Sequence, residues 1–113
     1  MIYLLTMNKF LFKTVKTEFK IKSGETFKVG EQAIIGWQDD SGYATVKING
    51  KTMKLNSALL YKKFAGFTKP PSLKTMEKWA SDGISKTVLG YKTEMDGVGK
   101  YNDPSWMKLM GLI

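Results

Sequence analysis

Hydrophobic and polar positions alternate from residue 17 to 22, with Phe19 and Ile21 on one side and Glu18, Lys20 and Lys22 on the other. A period of two marks a strand with one buried face, so the segment predicts a half-buried strand. Ser23-Gly24 turns the chain, Phe27 and Val29 alternate again, Gly30-Glu31 breaks the run, and residues 33–37 form an apolar stretch of strand length ending at Trp37. Asp39-Asp40-Ser41-Gly42 has the composition of a turn. Asn49-Gly50 is the strongest local signal, because both residues tolerate positive φ and form the preferred two-residue hairpin loop. With Ile48 and Lys51 flanking that loop, Val46 faces Met53 and Ala44 faces Leu55 on an apolar side. Thr45 then faces Lys54, and Lys47 faces Thr52, on a polar side. Residues 56–60 read as one helical turn before a last strand over about residues 60–67.

Beyond Thr68-Lys69-Pro70-Pro71 the pattern changes. Leu73, Met76, Trp79 and Ala80 recur at helical spacing, Ser72 suits the N-cap, and Gly83 stands where a left-handed residue ends a helix, with Ile84 folding back on Trp79. Residues 86–95 predict a hairpin or extended pair around Leu89-Gly90. Asp103-Pro104 predicts an N-cap and a first helical proline, opening a short helix through Trp106, Leu109 and Met110 that stops at Gly111. Leu112 and Ile113 are expected to pack down as a plug with Trp106.

Short strands joined by Gly-containing turns suggest a small antiparallel barrel. Val29-Gly30-Glu31, the strand carrying Ile34 and Ile35, the step Gly42-Tyr43-Ala44 into a long hairpin, and the one-turn segment after it resemble the SH3-like barrels over residues 17–67. That pattern is shared by ribosomal, Tudor-like and transcription-elongation modules. The expected class is α+β, mainly β: an SH3-like barrel at 1–67 with residues 1–8 loose, a linker at 68–71, and a short helix–hairpin–helix subdomain at 72–113. Thr87-Val88-Leu89-Gly90, Thr93-Glu94-Met95-Asp96-Gly97 and the terminal run from Pro104-Ser105-Trp106 to Gly111-Leu112-Ile113 resemble a tail that recurs in small phage and prophage proteins. Met95 stands where that tail has proline. The resemblance implies a phage or mobile-element origin and a structural module without an assigned activity.

The chain has 113 residues, 42% hydrophobic and 25% charged, a composition that folds. It contains no cysteine and no histidine. This removes disulfides, thiolate nucleophiles, Cys/His zinc sites and imidazole bases, so no enzyme, no cofactor and no metal site is expected. Asp39 and Asp40 read as turn formers, not metal ligands. Asp96-Gly97-Val98-Gly99 lacks the context of a phosphate cradle. Glu94, Asp96 and Asp103 are explained by turns and capping before any cation site. The apolar start at residues 1–5 is interrupted by Lys9 and Lys13, too short for a signal or a membrane span. A cytoplasmic location follows as the expectation, that of the host cell if the origin is a phage, and Met7 offers a second start.

Charge changes the picture most. Eighteen basic residues against ten acidic give a formal net charge of +8, and every basic residue is lysine. A lysine field attracts phosphates without reading bases, since arginine's bidentate grip on guanine is missing. The excess falls in two blocks, residues 1–30 and residues 61–80. The candidate nucleic-acid-binding residues are Lys20, Lys22, Lys47, Lys54, Lys62, Lys63 and Lys69, with Trp37 and Tyr43 as rings on which bases stack. For Trp37 a core position in phase with Ile35 competes with that role, and for the Lys47/Lys54 face an ordinary solvated sheet does. The expected partner is DNA or RNA. A host protein, held by an edge strand or aromatic groove, is the alternative from another class, and a virion or assembly role remains open beside them.

Overall fold

A computed structural model describes residues 10–38 and 41–111. Met7, Asp39, Asp40, Leu112 and Ile113 lie outside the described residues, and with them the expectations placed on them. In chain order the elements are β1 (Phe10–Thr14), β2 (Phe19–Lys20), β3 (Thr26–Phe27), β4 (Gln32–Gly36), β5 (Tyr43–Ile48), β6 (Lys51–Asn56), a 3-10 turn (Ser57–Leu59), α1 (Leu60–Lys63), α2 (Leu73–Asp82), β7 (Ser85–Lys86), β8 (Lys92–Thr93) and α3 (Trp106–Leu109). The architecture is α+β, mainly β. One antiparallel sheet runs in the order β1-β4-β5-β6, and the pairs β2-β3 and β7-β8 are separate small ribbons. The described strands do not close into a barrel.

The β5–β6 hairpin has the register that its turn chemistry predicts: Ile48 opposite Lys51, Val46 opposite Met53, Ala44 opposite Leu55, Thr45 opposite Lys54 and Lys47 opposite Thr52. Asn49 and Gly50 both take positive φ, 50° and 78°, as a two-residue loop between right-twisted strands requires. The side-chain amide of Asn49 donates to the Glu31 carboxylate, tying the loop to the start of β4.

Four local expectations are corrected. The strand expected at residues 17–22 is paired only at Phe19–Lys20, because Gly24 turns back at once through its N–H to Ile21 O at 2.9 Å. The strand expected at 60–67 is instead α1 followed by one β-bridge between Phe64 and Val15. Asn56 Oδ1 accepts from the Ala58 N–H and starts a helical run that places Leu60 and Phe64, four residues apart, on one fully buried face. The cap of α3 is Ser105, whose hydroxyl accepts from the Lys108 N–H at 3.1 Å, and not Asp103. Residues around Pro104 stay extended, since Pro104 bridges Val98 and its carbonyl accepts from Val88. Leu73 is 64% exposed and Ala80 is exposed, so Met76 is the fully buried residue of α2. That helix otherwise follows its signals, with Ser72 capping Thr75, Gly83 left-handed at φ 71°, and Ile84 N–H returning to Trp79 O.

One core joins both parts of the chain. Ile35, Val46, Ile48, Leu60 and Phe64 lie in the same buried cluster as Val88 and Trp106. Thr68, where a linker is expected, is anchored: its N–H and hydroxyl both donate to Val88 O, and its oxygen accepts from Trp106 Nε1 at 2.8 Å. Asn102 Nδ2 donates to Trp37 O across the same junction.

Asp103 is fully buried beside Gly99. Its Oδ1 accepts from the Tyr101 N–H, and its backbone carbonyl accepts from the Gly99 N–H at 2.8 Å. A Cβ on Gly99 would overlap both carboxylate oxygens. Gly99→Ala is therefore expected to lower unfolding stability by about 1–3 kcal/mol, the usual cost of overpacking. Urea denaturation of the two proteins measures it, and an unchanged midpoint would show that the loop relaxes freely.

Candidate nucleic-acid interface

β2 ends where the chain turns, and β6 is an edge of the four-stranded sheet. Between them lies an open groove that α1 meets through Lys63. Alternation in β2 buries Phe19 and turns Lys20 outward, and Lys22 follows on the exposed side. On β6, Met53 and Leu55 are half-buried while Lys54 is exposed. The result is a rim of Lys20, Lys22, Lys54 and Lys63 around a floor of Phe19, Ile21, Met53 and Leu55. Among the described residues, no acidic side chain lines it. The Lys63 ammonium sits 4.8 Å from the centre of the Phe19 ring, a cation–π arrangement that holds this flexible stem over the floor. Glu25 pairs with Lys51 at 3.3 Å, and neither residue lines the groove.

Four of the candidate lysines thus meet, although 43 positions separate Lys20 from Lys63. Lys47 is exposed on β5, a diagonal neighbour of Lys54 on the outward face of the sheet. Lys62 is exposed on α1 with its ammonium 6.0 Å from the Tyr61 ring, and Lys69 is exposed between α1 and α2. Neither lines the groove. Trp37 is corrected as a stacking ring: it is 4% exposed, and its Nε1 donates to the buried Ser57 hydroxyl at 2.8 Å. A buried indole needs such a partner for its N–H, and a ring held this way presents no face to a base. Tyr43 is 47% exposed and lies on the outward face with Thr45 and Lys47. Trp37 and Tyr43 therefore do not form one platform.

An exposed ring that sequence reasoning missed is Phe12. It is 66% exposed on β1, between buried Leu11 and half-buried Lys13. Three apolar residues in a row, Phe10-Leu11-Phe12, hide the alternation that would have revealed it. Only the pairing of Leu11 with Ile35 shows which side faces the core.

No protein-family model matches this chain, and no curated protein or solved structure matches it either. Among the described residues, no helix is long and apolar enough to cross a membrane.

Proposed function

We propose that this chain is a non-enzymatic accessory protein of phage or mobile-element type that binds nucleic acid through phosphate contacts, with little sequence preference. The observation that carries this reading is the convergence of Lys20, Lys22, Lys54 and Lys63 on one groove whose described lining holds no carboxylate. Ammonium groups on flexible stems follow phosphates as point charges, and a semi-apolar floor keeps those stems together. The proposed origin rests on the C-terminal run Pro104-Ser105-Trp106 to Ile113. An SH3-like reading of the N-terminal part is supported by the succession of a short β2–β3 ribbon, the β5–β6 hairpin, a 3-10 turn and the Val15–Phe64 bridge.

Three or four phosphate contacts release about as many counterions, so affinity for a duplex should fall about 40- to 150-fold between about 50 and 200 mM salt. Fluorescence anisotropy with labelled single-stranded and duplex oligonucleotides measures this. Absence of binding at the lower salt would defeat the reading and turn the search to a protein partner.

A further inference from the structure

The outward face of the four-stranded sheet shares only Lys54 with the groove, and its composition is one-sided. Directly paired residues share a face, so the register defines two rows across it: Phe12, Ile34, Lys47 and Thr52, then Phe10, Gly36, Thr45 and Lys54. None of the four strands contains an aspartate or glutamate. Phe12 and Tyr43 are well exposed at 66% and 47%, and Phe12 is braced edge-on by Phe10, with ring centres 5.9 Å apart. Lys47 and Lys54 stand exposed on the same face, and Lys54 also belongs to the rim of the lysine groove. Positive charge thus continues from the groove over the β6 edge toward the rings. At interstrand steps of about 4.8 Å, roughly 14 Å separates the β1 and β6 edges.

We infer that this outward face is a single-strand binding platform on which Phe12 stacks a base while the groove lysines hold phosphates farther along the same strand. The inference rests on the phosphate-binding reading above and adds the substrate class. A large exposed ring on a solvated sheet carries a hydration cost that ordinary sheet faces avoid, and stacking with a base removes that ring from water. Four-stranded sheet faces bearing aromatic residues bind unpaired bases in this way, about two or three at a time. A duplex keeps its bases inside and offers a sheet only phosphates, so the rings favour single strands and lysines serve both. The occupant expected from the charge and the rings is therefore a single strand.

The test compares the wild-type protein with Phe12→Ser and Phe12→Trp, using one labelled oligonucleotide as a single strand and as its duplex at about 50 mM salt. Base–ring stacking corresponds to about a 5- to 150-fold loss of single-strand affinity for Phe12→Ser. Duplex affinity should stay within about twofold, and Phe12→Trp should retain single-strand binding because it keeps a ring. An equal loss on both forms, or no loss on the single strand, overturns the platform while leaving phosphate binding in place. No binding of either form by the wild-type protein overturns both. Phe12 is exposed and takes no part in the core, so both variants are expected to fold, and coincident thermal unfolding curves establish that they do.

Discussion

Changing Lys20, Lys22 and Lys63 together to Gln should weaken nucleic-acid binding about 10- to 100-fold at about 50 mM salt and flatten the logarithmic salt dependence by about three units. These side chains come from two distant parts of the sequence and rim one groove. Glutamine keeps the stem and a polar head, so the substitution isolates charge. Net charge alone would produce a similar loss wherever three lysines were removed. The matched comparison is Lys69→Gln, Lys74→Gln and Lys78→Gln, which removes the same charge from the segment around the start of α2, away from the groove. Anisotropy titrations over a salt series should show a steep, uniform loss for the first variant across oligonucleotide sequences and a small one for the second. Equal losses would reduce the groove to a contribution to overall charge.

Trp106→Ala should be among the most destabilising single changes in the protein, at about 3–5 kcal/mol. The ring is 1% exposed and lies in the buried cluster shared by the sheet and the C-terminal part. Its Nε1 donates to Thr68 Oγ1 at 2.8 Å, and Thr68 in turn donates to Val88 O. Truncation opens a cavity at the junction and removes the hydrogen bond that anchors the segment after α1. A domain of this size holds only about 5–15 kcal/mol of net stability, so the variant loses a large share of it. Trp79→Ala gives the contrast, since Trp79 on α2 is only half-buried and the helix presents one fully buried residue, Met76. Urea unfolding of both variants should place the Trp106 midpoint well below that of Trp79. Similar midpoints would mean that the two parts of the chain do not depend on a common core.

Several elements were legible because their signals are local. Asn49-Gly50 dictates a turn with two positive φ values, and the flanking alternation then leaves one register that buries Val46 and Ala44. Ser72 and Gly83 bracket α2 because a helix end must satisfy its own backbone groups from nearby residues. The failures share the opposite character. Residues 60–67 are compatible with a strand by composition, and burial of Leu60 and Phe64 against the sheet selected the helical turn. Asp103-Pro104 satisfies a capping pattern, but pairing of Pro104 with Val98 and burial of Asp103 moved the cap to Ser105. β1 was invisible because an unbroken apolar run does not say which side is inside.

The same division separates the two halves of the candidate site. From the sequence alone came the lysine-only excess of charge, the absence of cysteine and histidine chemistry, and the partition of Lys47 and Lys54 from Val46 and Met53 across the hairpin. Each of these depends on composition or on residues within a few positions of one another. That Lys63 stands beside Lys20, that Trp37 is spent on the core with its N–H on Ser57, and that Phe12 faces outward were decided by the tertiary structure. Those outcomes depend on which distant segments pack together, and the energy that decides them, burial of apolar surface, carries no direction along the chain.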